Sequence, residues 1–223
     1  MGQITLLVLA FLTAIVEWVA VGNRWRKVEY FAKPAVILSL IAGLYISTGL
    51  QGSAFWFGLG LLFSLLGDVV LLSLSEKMFL AGLVLFLFTH ICYLSGFRQQ
   101  LFAPSAWSLV LVFVILLNAV RLLRRIVGAM RARDLNRLVY PVIVYGLVIS
   151  LMLFAAMSTL SDHDWDTVAA FLVSIGAFLF WLSDLMLAWN KFVSPLKVGR
   201  LTVTAAYHVG QICLIAGVIR QFA

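Results

Sequence analysis

Charge is scarce in this chain. Only 11% of its 223 residues are Asp, Glu, Lys or Arg, while 64% are hydrophobic and the mean hydropathy is +1.09. A soluble domain carries about 25% charged residues, and a disordered chain is more polar still, so both classes are excluded. There are two cysteines, Cys92 and Cys213, each inside an apolar run and not in a CxxC pair, which argues against a disulfide framework or a metal knuckle. The four prolines, Pro34, Pro104, Pro141 and Pro195, fall between apolar runs or near a helix start, where a missing N–H costs least. The sequence contains no nucleophile elbow, HExxH, Walker loop or strand-to-helix GxGxxG. The first apolar run lacks a basic leader and a cleavage site and carries Glu17, so it reads as a retained helix rather than a signal peptide.

What the chain does have is a series of apolar runs: 4–21, 34–50, 54–74, 79–97, 106–120, 138–158, 168–189 and 201–219. A bilayer crossing takes about 20 residues, so these predict eight transmembrane helices in one all-α bundle over 1–223, with no separate soluble domain. The net charge of +7 does not point to nucleic acid, because the basic residues sit in short clusters between runs, where they orient helices and meet lipid headgroups. Arg24, Arg26, Lys27, Lys33, Lys77, six arginines between 121 and 137, Lys191, Lys197 and Arg200 fall on one side, and only Arg98 and Arg220 on the other. That bias predicts cytoplasmic basic connections, both termini outside, and a multi-pass protein expected in a bacterial inner membrane. Trp18, Trp25, Trp56, Trp107, Trp165 and Trp189 lie near helix ends, as interfacial tryptophans do. Gly58, Gly60, Gly67, Gly82 and Gly96 read as close helix contacts. A weak repeat joins the third and fourth helices, SLLGDVVLL then THICY, to the seventh and eighth, FWLSDLMLA then AYHVGQ.

Ionisable residues at membrane depth face a bundle interior or a watery cavity. Asp68 and Asp184 each lie five or six residues from the basic end of a run, a shared depth of roughly 8–9 Å. His90 and His208 are placed to line the same cavity. Thr204, Tyr207, His208 and Gln211 recur at three- and four-residue spacing and share a helix face, Tyr93 is one turn from His90, and Ser64 is one turn before Asp68. Glu17 is close enough to its helix end to reach headgroups, and Ser64 and Thr89 can bond the carbonyl one turn back. Two carboxylates in one low-dielectric pocket make an acid and a base. The residues alone leave three readings open: acid–base hydrolysis, proton-coupled transport, and a metal-dependent amide or ester hydrolase with Asp68, His90, Asp184 and His208 as ligands.

Several motifs carry a family resemblance: KP at 33–34, FSLLGDVVLL at 63–72, FLAGLVLFLFTHICY at 79–93, VYGLVIS at 144–150, and GAFLFWLSDLMLA at 176–188 followed by YHVGQ. With these in order, the chain resembles the YhhN family of lysoplasmalogenases. The resemblance implies an eight-helix membrane hydrolase that cleaves the vinyl ether of a lysophospholipid to a fatty aldehyde and a glycerophospho-base, without a cofactor. It maps the family's GD motif onto Gly67 and Asp68, its SD onto Ser183 and Asp184, and its H-x-x-Y onto His90 and Tyr93, while His208 departs from the pattern. Asp68 and Asp184 are then the expected catalytic pair, His90 and Tyr93 orient them, Ser64, Tyr207, His208 and Gln211 support them, and Lys33 faces the phosphate.

Overall fold

Short turns join the apolar runs, so each helix folds back beside the one before it. The computed structural model describes residues 2–73, 75–97, 106–196 and 199–223. Among them are eight helices: α1 (Gly2–Gly22), α2 (Arg26–Thr48), α3 (Ser53–Leu71), α4 (Glu76–Gly96), α5 (Ala106–Arg131), α6 (Asn136–Ser158), α7 (Thr167–Phe192) and α8 (Gly199–Phe222). Seven of these, all but α5, are long and apolar enough to cross a membrane. Leu74, Arg98, Pro104 and Lys197, to which the sequence assigned helix ends or connections, lie outside the described residues, as does the side chain of Trp107.

Two boundaries differ from the hydropathy reading. Helix α2 begins at Arg26 rather than Pro34, and α5 runs on to Arg131 rather than ending at Val120. The cause is the turn that follows or precedes each. Arg24 takes φ 60°, and Trp25 N–H bonds Ala20 C=O at 2.8 Å, so the chain reverses tightly and resumes helix at once. Asp134 takes φ 58° and Leu135 N–H bonds Met130 C=O at 3.0 Å, the same device four helices later. Charged residues near both turns are therefore helical although hydropathy reads them as connection. Pro34 and Pro141 consequently lie inside helices, in the third turn of α2 and the second of α6, leaving the carbonyls of Tyr30 and Arg137 without their usual N–H donors.

The helices pack as hairpins α1/α2, α3/α4, α5/α6 and α7/α8. Helix α8 also touches α1, α2 and α3, α4 meets α6, and α5 lies against α6 and α7. No hydrophobic gradient drives helices together in lipid, so close packing must do it. Between α7 and α8 the backbones themselves meet: a Cβ on Gly176 would stand 2.4 Å from Leu214 N, and one on Gly210 2.9 Å from Gly176 O. Between α3 and α4 the glycines seat rings and a leucine instead, Gly60 under Tyr93, Gly67 under Phe86, Gly96 under Phe57 and Gly82 under Leu71. At the end remote from the basic turns Asp166 caps α7 by accepting from Ala169 N–H at 2.9 Å, and Arg220 pairs with it at 2.5 Å. Arg220 and that amide lower the Asp166 carboxyl to about 2.

Gly210→Val places its side chain against backbone that cannot retreat, and overpacking of this kind costs about 1–3 kcal/mol. Gly128→Val, with open space around its Cβ, is the matched control. The expected outcome is a lower midpoint of unfolding in detergent for Gly210→Val alone, followed by circular dichroism.

Candidate active site

One face of α2 begins the site. Glu29 and Lys33, one helical turn apart, both point into the bundle. Lys33 Nζ stands 2.9 Å from Asp68 Oδ1, and Arg200 at the start of α8 reaches Glu29 Oε2 at 2.5 Å. Asp68 and Glu29 are almost fully buried. A carboxylate in such a place is tolerable only with a cation and hydrogen bonds around it. Lys33, which the sequence pointed toward a substrate phosphate, spends its charge on Asp68.

The other oxygen of Asp68 ends a chain of hydrogen bonds whose direction is fixed. Tyr93 OH donates to Gln211 Oε1 at 2.8 Å, and Gln211 Nε2 donates to Ser64 Oγ at 2.9 Å. Ser64 Oγ lies 2.6 Å from Tyr207 OH, which donates to Asp68 Oδ2 at 2.8 Å. Tyr207 has a single proton and gives it to the carboxylate, so Ser64 is the donor to Tyr207. Every link thus points its proton toward Asp68. Ser64 is engaged across the bundle rather than with the carbonyl one turn back, while Thr89 does bond back, to Leu85 C=O.

Asp184 has a different environment. Its Oδ2 accepts a hydrogen bond from Tyr145 OH and lies 3.2 Å from His90 Nε2, which is itself 3.0 Å from Tyr145 OH. Tyr145, inside the VYGLVIS stretch, is a residue that sequence reasoning missed; its signal was a tyrosine well inside an apolar run, two turns beyond the arginine-rich connection. Glu17 was misjudged as well. It is buried rather than directed to headgroups, and its Oε2 stands 3.0 Å from His208 Nε2. His208 therefore turns to α1, away from the face on which Tyr207 and Gln211 lie. The metal reading loses its convergence, since Asp184 with His90 and His208 with Glu17 form separate pairs. Among the described residues no three His, Cys, Asp or Glu side chains are placed to hold one ion.

Asp68 and Asp184 nonetheless line a common cavity of about 350 Å³, together with Glu17, Lys33 and Tyr207. Toward the basic end its wall is Ser73, Ser75, Asn190, Lys191 and Arg200. The residues that precede the aspartates in GD and SD are structural. Gly67 lets the Phe86 ring lie against α3, and Ser183 Oγ donates to Val203 C=O at 2.9 Å, tying α7 to α8.

Removing the far end of the proton chain tests whether it acts as a unit. Tyr93→Phe leaves the Gln211 carbonyl buried without a donor, at a cost of about 1–3 kcal/mol. Adding Gln211→Leu should cost less than the sum of the single changes, a coupling readable in reversible unfolding in mixed micelles.

The human lysoplasmalogenase TMEM86A is 32% identical over 168 residues, 73% of this chain and 64% of that protein. The mouse lysoplasmalogenase TMEM86B is 28% identical over 207 residues, 92% and 80% respectively, and the pig TMEM86B 30% over 173 residues, 78% and 64%. The chain spans just under two thirds of the length of the human TMEM86A and pig TMEM86B proteins. No solved structure matches it. The profile of the YhhN family matches residues 28–218, a stretch that holds Lys33, both aspartates and every member of the proton chain, and the chain belongs to that family.

Proposed function

We propose that this protein is a membrane hydrolase that cleaves the vinyl ether of a lysoplasmalogen, releasing a fatty aldehyde and a glycerophospho-base. The observation that carries this reading is the pairing of two differently partnered carboxylates on one cavity, in a family whose relatives are named lysoplasmalogenases. Vinyl ether cleavage begins with protonation of the β-carbon. The resulting oxocarbenium carbon takes up water, and the hemiacetal collapses with the ether oxygen leaving on glycerol. An acid, a base and a nearby negative charge are required, as in glycoside hydrolysis. Asp184, with His90 and Tyr145, is the proton-delivering group, because its partners are side chains that exchange protons. Asp68, with Lys33 and Tyr207 directed at it, is the fixed carboxylate that faces the cation and receives a proton from water. With Lys33 held by Asp68 and Arg200 by Glu29, Lys191 on the cavity wall is the cation that meets the substrate phosphate.

In this reading the protein is a single domain over 1–223 with both termini outside the cytoplasm, in a bacterial inner membrane. The headgroup then lies at the basic, cytoplasmic end. Its partners are the lysophospholipid substrate and membrane lipids, and no cofactor or nucleic acid enters.

Purified protein given lysophospholipids with ester, alkyl-ether and vinyl-ether linkages should release product from the vinyl ether alone, read by mass spectrometry. Cleavage of the ester analogue instead would defeat the assignment. In heavy-oxygen water the glycerol product should carry no label at the former ether position. Asp68→Asn and Asp184→Asn should each lower turnover by at least about two orders of magnitude with folding retained, and His208→Phe should cost less. For the topology, a C-terminal reporter that is active only in the cytoplasm should be silent, and signal from it would reverse the orientation.

A further inference from the structure

Asp184 does not border the polar cavity alone. It also lines a narrow apolar seam of about 50 Å³ where α5, α6 and α7 meet, and Tyr145 lines that seam with it. Small residues line the seam, Ala119 on α5, Ser150 on α6 and Ala188 on α7, and Gly146 on α6 makes room for the Leu123 side chain that forms part of its wall. From Ala119 to Ile126 it follows α5 for about 10 Å. Its end remote from the basic turns is closed by Trp181, whose Nε1 donates to Ser150 Oγ at 3.3 Å.

We infer that this seam is the subsite for the first carbons of the alkenyl chain. This rests on the vinyl ether reading above. In that substrate the scissile bond separates a charged headgroup from a hydrocarbon, and Asp184 stands where a cavity with cationic walls adjoins an apolar slot. A headgroup at the basic end puts the chain on the far side of Asp184, along Tyr145, Ile149 and Trp181. The slot is too small for a whole chain, and the outer face of α5, with Phe113 and Leu116 exposed, borders lipid. The distal carbons accordingly stay in the bilayer. Selectivity then falls on the shape of the chain close to the ether, not on its total length.

The test uses the full-length protein in lipid nanodiscs and a 1-O-alkyl lysophosphoethanolamine, which lacks the vinyl ether, with a photoreactive diazirine on the fourth carbon of the chain. Mass spectrometry should place the adducts on Ala119, Leu122, Leu123, Ile149, Ser150 and Trp181. Adducts on Phe79, Leu83 and Phe86, which line the other apolar crevice at Asp184, would overturn the proposal, as would adducts spread over the outward faces of all helices. Ala119→Phe should lower the seam adducts at least tenfold and raise KM for vinyl ether substrates of every chain length alike. A KM that rises only for the longest chains would overturn it. Seam adducts in a protein that leaves vinyl ethers intact would remove the activity and keep the subsite, whereas vinyl ether cleavage with adducts elsewhere would do the reverse.

Discussion

The ion pair between Lys33 and Asp68 is the contact on which the rest of the bundle depends. A carboxylate roughly 8 Å inside a membrane helix is stable only if a cation and hydrogen-bond donors come with it. Supplying them draws three helices to one point: α2 brings Lys33, α3 brings Asp68, and α8 brings Tyr207. Once Tyr207 is committed as donor, Ser64 must donate to it, Gln211 must turn its amide N–H to Ser64, and Tyr93 must fill the Gln211 carbonyl. The positions of α3, α4 and α8 and the polarity of their buried groups are thus coupled through one anion.

Asp184 repeats the arrangement in other residues. Asp68 is met by the second helix of its own half and by the last helix of the other half. Asp184 is likewise met by α6, through Tyr145, and by α4, through His90. The turns before α2 and α6 share a left-handed residue and the same five-residue backbone hydrogen bond, and each of those helices carries an internal proline. The two halves of the chain are therefore related in their contacts as well as in the short SLLGD and WLSD similarity. The substitution that separates them is chemical: a lysine on one side, a tyrosine and a histidine on the other. A near-symmetric frame holds two carboxylates on one cavity and gives them unlike partners, the condition under which two equal side chains take up unequal roles.

Hydropathy and spacing made the eight helices and the shared face of Tyr207 and Gln211 on α8 legible, because each is a property of one helix. What was not legible depends on the rotation of one helix against another. Tyr207 and His208 are adjacent in sequence, so their side chains diverge by about 100°, yet nothing local says that the first turns to α3 and the second to α1. Glu17 read as a headgroup contact because its partner is nearly the whole chain away. Lys33 read as a phosphate ligand because a proline beside a lysine resembles a helix start, whereas the turn at Arg24 had already begun the helix.

Those long-range pairs also limit what substitution can do. A buried acceptor loses more when its donor is deleted than when both are removed, so Lys33, Ser64, Tyr93, Tyr207 and Gln211 around Asp68, and His90 and Tyr145 around Asp184, cannot drift independently. The apolar wall of the seam is under no such restraint. Ala119 and Ala188 are small and apolar, and each can be exchanged for a larger side chain without orphaning a polar atom. In the proposed reading, variation in the substrate's hydrocarbon falls to the seam walls on α5, α6 and α7, while the two carboxylates on α3 and α7 keep their partners on α2, α4, α6 and α8.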